Sequence, residues 1–532
     1  LKSKDLMSDS VNGQSMPRKK LPIGIQNFRQ IREGGYGYVD KTPHILNLTT
    51  IGKYFFLSRP RRFGKSLLVD TMRELFSCNE PLFETLFIHD QWDWTQPHPV
   101  LLISLGQGVL NSREALDERL REVLNWHAKK QGVAFENTSI GGRFFELIEK
   151  TCLTHGAEVV VLVDEYDKPL LDNLADPDTV REIREGLRNF YSVIKDADAY
   201  IRFAFITGVS KFSKVSLFSG LNNLIDLTLD RRFATICGYT QTDVESVFAA
   251  YLDGVDLDEL RRWYDGYSFL GENVYNPFDV LLFLDSGVYR NYWFETGTPT
   301  FLVDLIAARK YPIPKLDDLK VSEALLSSFD IDRIHIETLL FQTGYLTIDS
   351  ARRVGAIHQY TLRYPNVEVR SGFTDLMLDY LVNNSPAKSE TQLKLYELIR
   401  QDDVNGLRDL FHAFFAAIPH DWYRKNELAG YEGYYASIVY CYFAALGLDV
   451  TPEETTNHGQ IDLVLRFEDR VYVMEFKVVE LTEAGGALDA IKARGFVDKF
   501  AGRKGWLVGI EFSKKERNIL RFEVEALGSK QE

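Results

Sequence analysis

Tyr54-Phe55-Phe56-Leu57-Ser58-Arg59-Pro60-Arg61-Arg62-Phe63-Gly64-Lys65-Ser66 decides how the first half of this 532-residue chain is read. The aromatic run 54–57 predicts a buried strand. After it, Leu67, Leu68, Val69, Met72 and Leu75 recur at helical spacing. Strand, turn, Gly-Lys-Ser and helix are the setting of a phosphate-binding P-loop, in which the amides at a helix start cradle phosphate. Lys65 is placed to reach the terminal phosphates of ATP and Ser66 to join a Mg2+ shell, with Arg62, Phe63, Gly64 and Leu67 completing the cradle. Position 59 departs from the usual pattern, which has glycine where this chain has arginine. Gly-Lys-Ser alone is a weak signal and needs a partner.

Val159-Val160-Val161-Leu162-Val163-Asp164-Glu165-Tyr166-Asp167 supplies one. A β-branched apolar run is a strand buried on both faces, and parallel sheets carry ligands at the carboxyl ends of their strands. Asp164 is expected to hold Mg2+ through water, and Glu165 to orient or deprotonate the attacking water. A plain core strand with a solvated acidic end has the same pattern, but the loop upstream favours one composite site. Apolar runs at 99–105 and 202–208 extend the sheet, with a helix near 184–194 before the second. Thr207, at the tip of that last strand, is placed to sense the terminal phosphate.

The chain's length predicts several domains rather than one core. With 45% apolar residues it is a folded protein, not a disordered one. Cys78, Cys152, Cys237 and Cys441 have no paired spacing, so neither a disulfide framework nor a zinc site is expected; a reducing cytoplasm fits. No apolar run approaches the roughly 20 residues that span a bilayer, so no membrane partner is expected. A formal net charge of -14 argues against a surface coated for nucleic acid, yet residues 485–521 carry nine Lys and Arg against four Asp and Glu.

The predicted fold class is multidomain α/β, in six segments. Residues 1–22 form a tail, 23–240 a P-loop parallel sheet, and 241–320 a helical lid over the nucleotide. Residues 321–385 form a winged-helix-like module, 386–429 a helical connector, and 430–532 an α/β restriction-endonuclease-like domain. In the fourth segment a helix at 334–341 is followed by strands at 344–348, 360–364 and 367–370. Such modules read DNA through a helix. Here the helix carries few cations, so packing or relay is favoured.

In the last segment, Val471-Tyr472-Val473-Met474-Glu475-Phe476-Lys477 puts Glu475 and Lys477 on one strand face. A hairpin with 459–465 is predicted to bring Asp462 beside Glu475, and a helix over 430–446 offers Glu432 on its first turn. Carboxylates of this kind are hard ligands for Mg2+, which polarises a phosphodiester and acidifies water. Lys477 then positions that water or offsets transition-state charge. A plain surface Glu-x-Lys pair is the alternative.

With these residues in view, the chain resembles the family of predicted AAA-ATPase-like proteins that carry a C-terminal PD-(D/E)XK-type nuclease domain. The resemblance runs from about residue 21 onward. It rests on Tyr38-Val39-Asp40-Lys41-Thr42, on 59–66, 162–169, 207–210 and 219–223, and on the aromatic stretches 263–269 and 292–299. It implies that arginine at 59 is a family trait and that Lys65 and Ser66 contact nucleotide and metal. It further implies that Asp164 and Glu165 are the acidic pair and that Asp462, Glu475 and Lys477 form the nuclease core, with Glu432 as the helix carboxylate. Nuclease domains of this kind often carry glutamine and tyrosine on the following helix, where this chain has Ala490 and Phe496. Two functions follow. One is an ATP-driven switch on a nuclease that cuts DNA; the other is a nucleotide-switched binding or signalling protein whose last domain recognises without cutting. A homo-oligomer is possible in either, with Arg231 and Arg232 as candidate arginine fingers.

Overall fold

Apolar runs without polar alternation become strands covered on both faces, and the first sheet is built from these. The computed structural model describes residues 18–211, 217–218, 223–294, 302–303, 305–306, 309, 311–327, 334–382, 385–417, 432–456, 459–480, 486–493, 500, 502–513 and 515–527. Its first unit runs β1 (Tyr54–Ser58), α1 (Lys65–Phe76), β2 (Val100–Ser104), α2 (Arg113–Gln131), α3 (Ile140–His155), β3 (Val159–Asp164), α4 (Pro177–Asp196), β4 (Ile201–Gly208) and β5 (Ile225–Asp226). Every residue of β1 and β3 is buried. The five strands are parallel in the order β2-β3-β4-β1-β5, so β4 separates the loop strand from the acidic strand. Ser112, Ser139 and Asp176 cap α2, α3 and α4 by accepting first-turn amides.

Residues 18–22 are not a loose tail. Lys20 N donates to Gly35 O and Gly37 N donates to Lys20 O, at 3.2 and 2.9 Å. Between residues 241 and 286, the helix Gln241–Val247, α5 (Leu257–Tyr264) and α6 (Pro277–Ser286) share a separate core of Val244, Leu260, Tyr264, Val280 and Phe283, and the segment joining α5 to α6 carries the bridges Tyr239–Tyr275 and Tyr267–Val274.

Beyond them lie β6 (Leu319–Ser322), α7 (Ile336–Thr343), β7 (Thr347–Val354) and β8 (Ile357–Arg363), an antiparallel sheet in the order β6-β8-β7, with a short helix at Glu323–Ser327 and then α7 between β6 and the hairpin. Residues 367–370 are not a strand. They open α8 (Val367–Val382), because Asn366 caps it: Val369 N donates to Asn366 Oδ1 at 3.0 Å. That cap outweighs the Val-Glu-Val alternation.

The last unit comprises α9 (Ser385–Gln401), α10 (Val404–Ala417), α11 (Glu432–Ala445), β9 (Asp449–Thr456), β10 (Gly459–Phe467), β11 (Arg470–Val478), α12 (Ala487–Ala493), β12 (Lys504–Ser513) and β13 (Asn518–Ala526). Its sheet order is β13-β12-β11-β10-β9, parallel only between β11 and β12. The segment read as a connector packs on this sheet: Phe415 meets Phe512 at 5.1 Å, and Tyr472 and Trp506 both donate to Asp402 Oδ1. One apolar core runs from the first sheet through α8 and α11 to one face of the last. The other face of the last sheet packs separately on α12 through Val473, Ile491 and Leu507.

Candidate functional site

The turn after β1 enters α1 through Gly64, whose φ of +88° is a left-handed backbone that a Cβ would strain. Beside it opens a cavity of about 360 Å³. Gly64, Lys65, Ser66, Glu165 and Lys168 line its polar part, and Ile25, Val39, Tyr239, Phe278 and Leu281 its apolar part; Arg62, Phe63 and Leu67 also face it. A helix start with a lysine and a hydroxyl beside it is a ready anion cradle.

Lys65 Nζ donates to Arg59 O and Pro60 O at 3.0 and 2.8 Å. Burial pushes its pKa down, while Asp164 opposes. Burial pushes Asp164 up, against a hydrogen bond from Ser66 and the charge of Lys65. Glu165 is raised too, by burial first and by Asp164 beside it. Its φ of +54° is rare for a side-chain-bearing residue, and its carboxylate occupies the space a Cβ on Gly106 would need. Lys65, Ser66, Asp164 and Glu165 therefore converge.

Thr207 is not brought to the cavity. It is wholly buried and its Oγ1 donates to Leu57 O at 2.9 Å; the residue that follows β4, Val209, lines the cavity instead. Asp167, the last acid of the same run, was passed over by sequence reasoning. It accepts Val209 N at 3.1 Å, Ser210 N and Ser210 Oγ, and so fixes the strand tip beside the cavity. Of the two finger candidates, Arg232 is spent on Asp230 at 2.6 Å, and Arg231 is exposed.

Arg59 points away from the cavity. Its guanidinium donates to Ser58 O, Thr228 O and Phe233 O at 2.9, 2.8 and 3.1 Å and stacks over Phe269 at 3.8 Å. No glycine is required there, because the side chain leaves on the far side of the loop. The aromatic stretch 263–269 thereby gains a role: Tyr267 meets Phe63 edge-on at 4.7 Å while Phe269 floors Arg59. Arg62 reaches the other way, 4.7 Å over Phe278 on α6. Behind Phe278, the buried carboxyl of Asp279 faces that of Glu368 on α8, and Glu368 Oε1 accepts Trp293 N at 2.7 Å. Burial holds Asp279 protonated well above the ordinary carboxylate range, against Glu368 and Arg62. On the opposite flank, Gln342 of α7 accepts Lys211 N at 2.8 Å, and Gly344 backs onto the Pro60 ring.

A second constellation lies on the last sheet. The pairing of Leu463 with Met474 brings Asp462 next to Glu475, and Asp462 Oδ2 accepts Phe476 N at 2.8 Å. Glu475 is buried and shares its face with Lys477, whose Nζ donates to Gly486 O at 3.3 Å. The same peptide is held from its other end, since Ala487 N donates to Glu511 Oε1 at 3.1 Å. Glu511 was not foreseen; it is the parallel neighbour of Lys477 on β12. Two adjacent carboxylates fit a hard divalent cation. Among the described residues no group of three or more His, Cys, Asp or Glu gathers to hold one. Glu432 begins α11, which packs on the opposite sheet face through Tyr435 and Phe512 at 4.2 Å; its side chain lies outside the described residues. Ala490 lies on α12; Phe496 and the motif residues 219–222 and 295–299 fall outside the described residues.

Residues 22–218 match a family model described as Predicted AAA-ATPase, and residues 430–522 match the PD-(D/E)XK nuclease superfamily. The chain is 54% identical over 517 residues to an uncharacterized protein in the vnfD 5' region of Azotobacter chroococcum mcd 1, covering 96% of this chain and all of that one. No helix among the described residues is long and apolar enough to cross a membrane. The chain belongs to the predicted AAA-ATPase family whose members end in a PD-(D/E)XK nuclease superfamily domain.

Proposed function

We propose that the chain is an ATP-binding and ATP-hydrolysing switch that controls a Mg2+-dependent nuclease acting on DNA. The observation that carries this is the register of β10 on β11, which sets Asp462 beside Glu475 with Lys477 on the same face. Bound Mg2+ would supply Lewis acidity to a phosphodiester at Asp462 and Glu475. Lys477 contributes a positive charge where negative charge develops. At the other site Lys65 would exchange its two loop carbonyls for phosphate oxygens when ATP is bound, Ser66 and Asp164 would hold the nucleotide's Mg2+, and Glu165 would orient water. Coupling is supported by what flanks the cavity. The loop touches α6 through Arg62 and Phe278, α6 faces α8 through Asp279 and Glu368, and α8 packs along α11 of the last domain.

The test is DNA cleavage by the full chain with Mg2+ and each nucleotide state. Lys477→Ala and Glu475→Gln are expected to abolish cleavage while binding of a fluorescent ATP analogue persists. Cleavage that survives both substitutions refutes the proposal. One observation favours the second function, a switched binding protein: Ala490 stands on α12 where related nucleases often place glutamine. DNA binding that depends on nucleotide, with no cleavage under any metal, would establish it.

A further inference from the structure

Six of the eight residues of α7, including Thr338, Leu340 and Gln342, are buried against the rest of the protein, so that helix has no face for a groove. The basic run of the last domain is partly consumed within it: Lys492, Lys504 and Arg521 pair with Glu525, Asp469 and Glu511. The β7–β8 hairpin is the reverse case. Every residue from 349 to 358 is exposed, on both faces of the ribbon. Arg352 and Arg353 stand near its tip, and neither is in an ion pair among the described residues. Each is oriented through Nε alone: Arg352 donates to Gln359 Oε1 at 2.7 Å, and Arg353 to Gly355 O at 2.9 Å. Their terminal N–H groups are left facing outward on a chain of net charge -14.

We propose that this hairpin is a duplex nucleic-acid contact that stands in a groove. Neighbouring strand residues point to opposite faces, so Arg352 and Arg353 each meet one phosphate wall. The major groove, roughly 12 Å wide, admits a two-stranded ribbon. Six exposed β7 residues, 349–354, reach about 20 Å, enough to carry the tip to the groove floor. There the exposed Val354 and Ile357 meet base edges, where apolar contact with thymine methyls is available. The hairpin follows directly on α7 and its cap Gly344, whose Gln342 and Gly344 touch Lys211 and Pro60, so bound duplex would bear on the nucleotide loop. The proposal rests on the chain acting on nucleic acid, not on its cutting it.

The experiment uses the full chain carrying Lys477→Ala and a labelled duplex of mixed sequence, followed by anisotropy across a salt series. Adding Arg352→Ala with Arg353→Ala is expected to raise Kd by on the order of tenfold or more and to lower the salt slope by about 2, the loss of two phosphate contacts. Replacing both by lysine is expected to restore the slope. The melting temperature should not move, since both side chains are exposed. An unchanged Kd and slope in the double alanine variant overturns the proposal, as does a parent chain that binds no duplex. Binding to phosphatidylserine vesicles that needs both arginines, while duplex binding does not, also overturns it. Hairpin-dependent duplex binding by a wild-type chain that never cleaves supports the hairpin and removes the nuclease; cleavage and binding indifferent to the hairpin do the opposite.

Discussion

Arg59→Gly restores the glycine that phosphate loops usually have at this position, and it is expected to damage the protein. The buried guanidinium has its pKa pushed down to about 10 by desolvation, so it remains charged at neutral pH. Keeping it charged there costs roughly 3 kcal/mol at about 1.4 kcal/mol per tenfold change. Against that stand three carbonyl hydrogen bonds, worth about 1.5–3 kcal/mol each when the donor is charged, and a desolvated stack on Phe269 worth about 2 kcal/mol. Removing the side chain recovers the desolvation cost but takes the guanidinium donor from three buried carbonyls, of which Phe233 O keeps the Ile236 amide, a net loss of about 3.5–8 kcal/mol. Chemical denaturation followed by intrinsic fluorescence, with binding of a fluorescent ATP analogue in parallel, checks this. The variant should unfold at clearly lower denaturant and bind the analogue more weakly, because the carbonyl of residue 59 also holds Lys65. A variant as stable as wild type, or one that binds nucleotide more tightly, refutes the account of Arg59 as a structural residue.

Three further outcomes are expected. Asp279 is raised in the folded chain by burial, so its contribution to stability is complete below the unfolded carboxyl pKa of about 4 and is lost as pH rises through the folded value. Asp279→Asn does not titrate, so its unfolding free energy should gain on wild type between pH 5 and pH 8, by up to about 1.4 kcal/mol per pH unit in that window, and its melting temperature should rise relative to wild type accordingly; an equal gap at both pH values counts against it. Gly266→Ala combines a φ of +107° with a Cβ that overlaps the Pro365 carbonyl oxygen, and should unfold at lower denaturant by more than the ~1 kcal/mol of a simple left-handed glycine replacement. Asp167→Ala frees Val209 N, Ser210 N and the Ser210 hydroxyl together, and a loss of about 3 kcal/mol or more is expected in urea unfolding, with Asp167→Asn recovering part of it.

Much of the first site was legible because its signals are local. An apolar run, a Gly-Lys-Ser turn and a helical period sit within one stretch, and the acids close β3 directly. The β10–β11 hairpin was legible for the same reason: a short turn sets the register, and register alone puts Asp462 next to Glu475. Asp167 had a signal in the same acidic run, and the start of α8 had one in Asn366, so both were within reach of the sequence. Glu511 had none, because a parallel neighbour across a crossover is set by packing rather than by a turn. Thr207 was placed at the correct strand end, but which side a tip residue faces depends on the neighbouring strands.

By itself the sequence determined the order of strands, turns and helices, and the family they belong to, because periodicity, caps and turn residues act over a few positions. Only the tertiary structure decided where the side chains of those elements point and meet. Arg59 lies in the loop that cradles phosphate, yet it turns into the core because Thr228, Phe233 and Phe269 surround it there. Asp279 and Glu368 lie far apart in the chain and face each other only because α6 and α8 pack together. Desolvation, which pushes Arg59 down and Asp279 up, is a property of the assembled interior and has no counterpart in a linear stretch of residues.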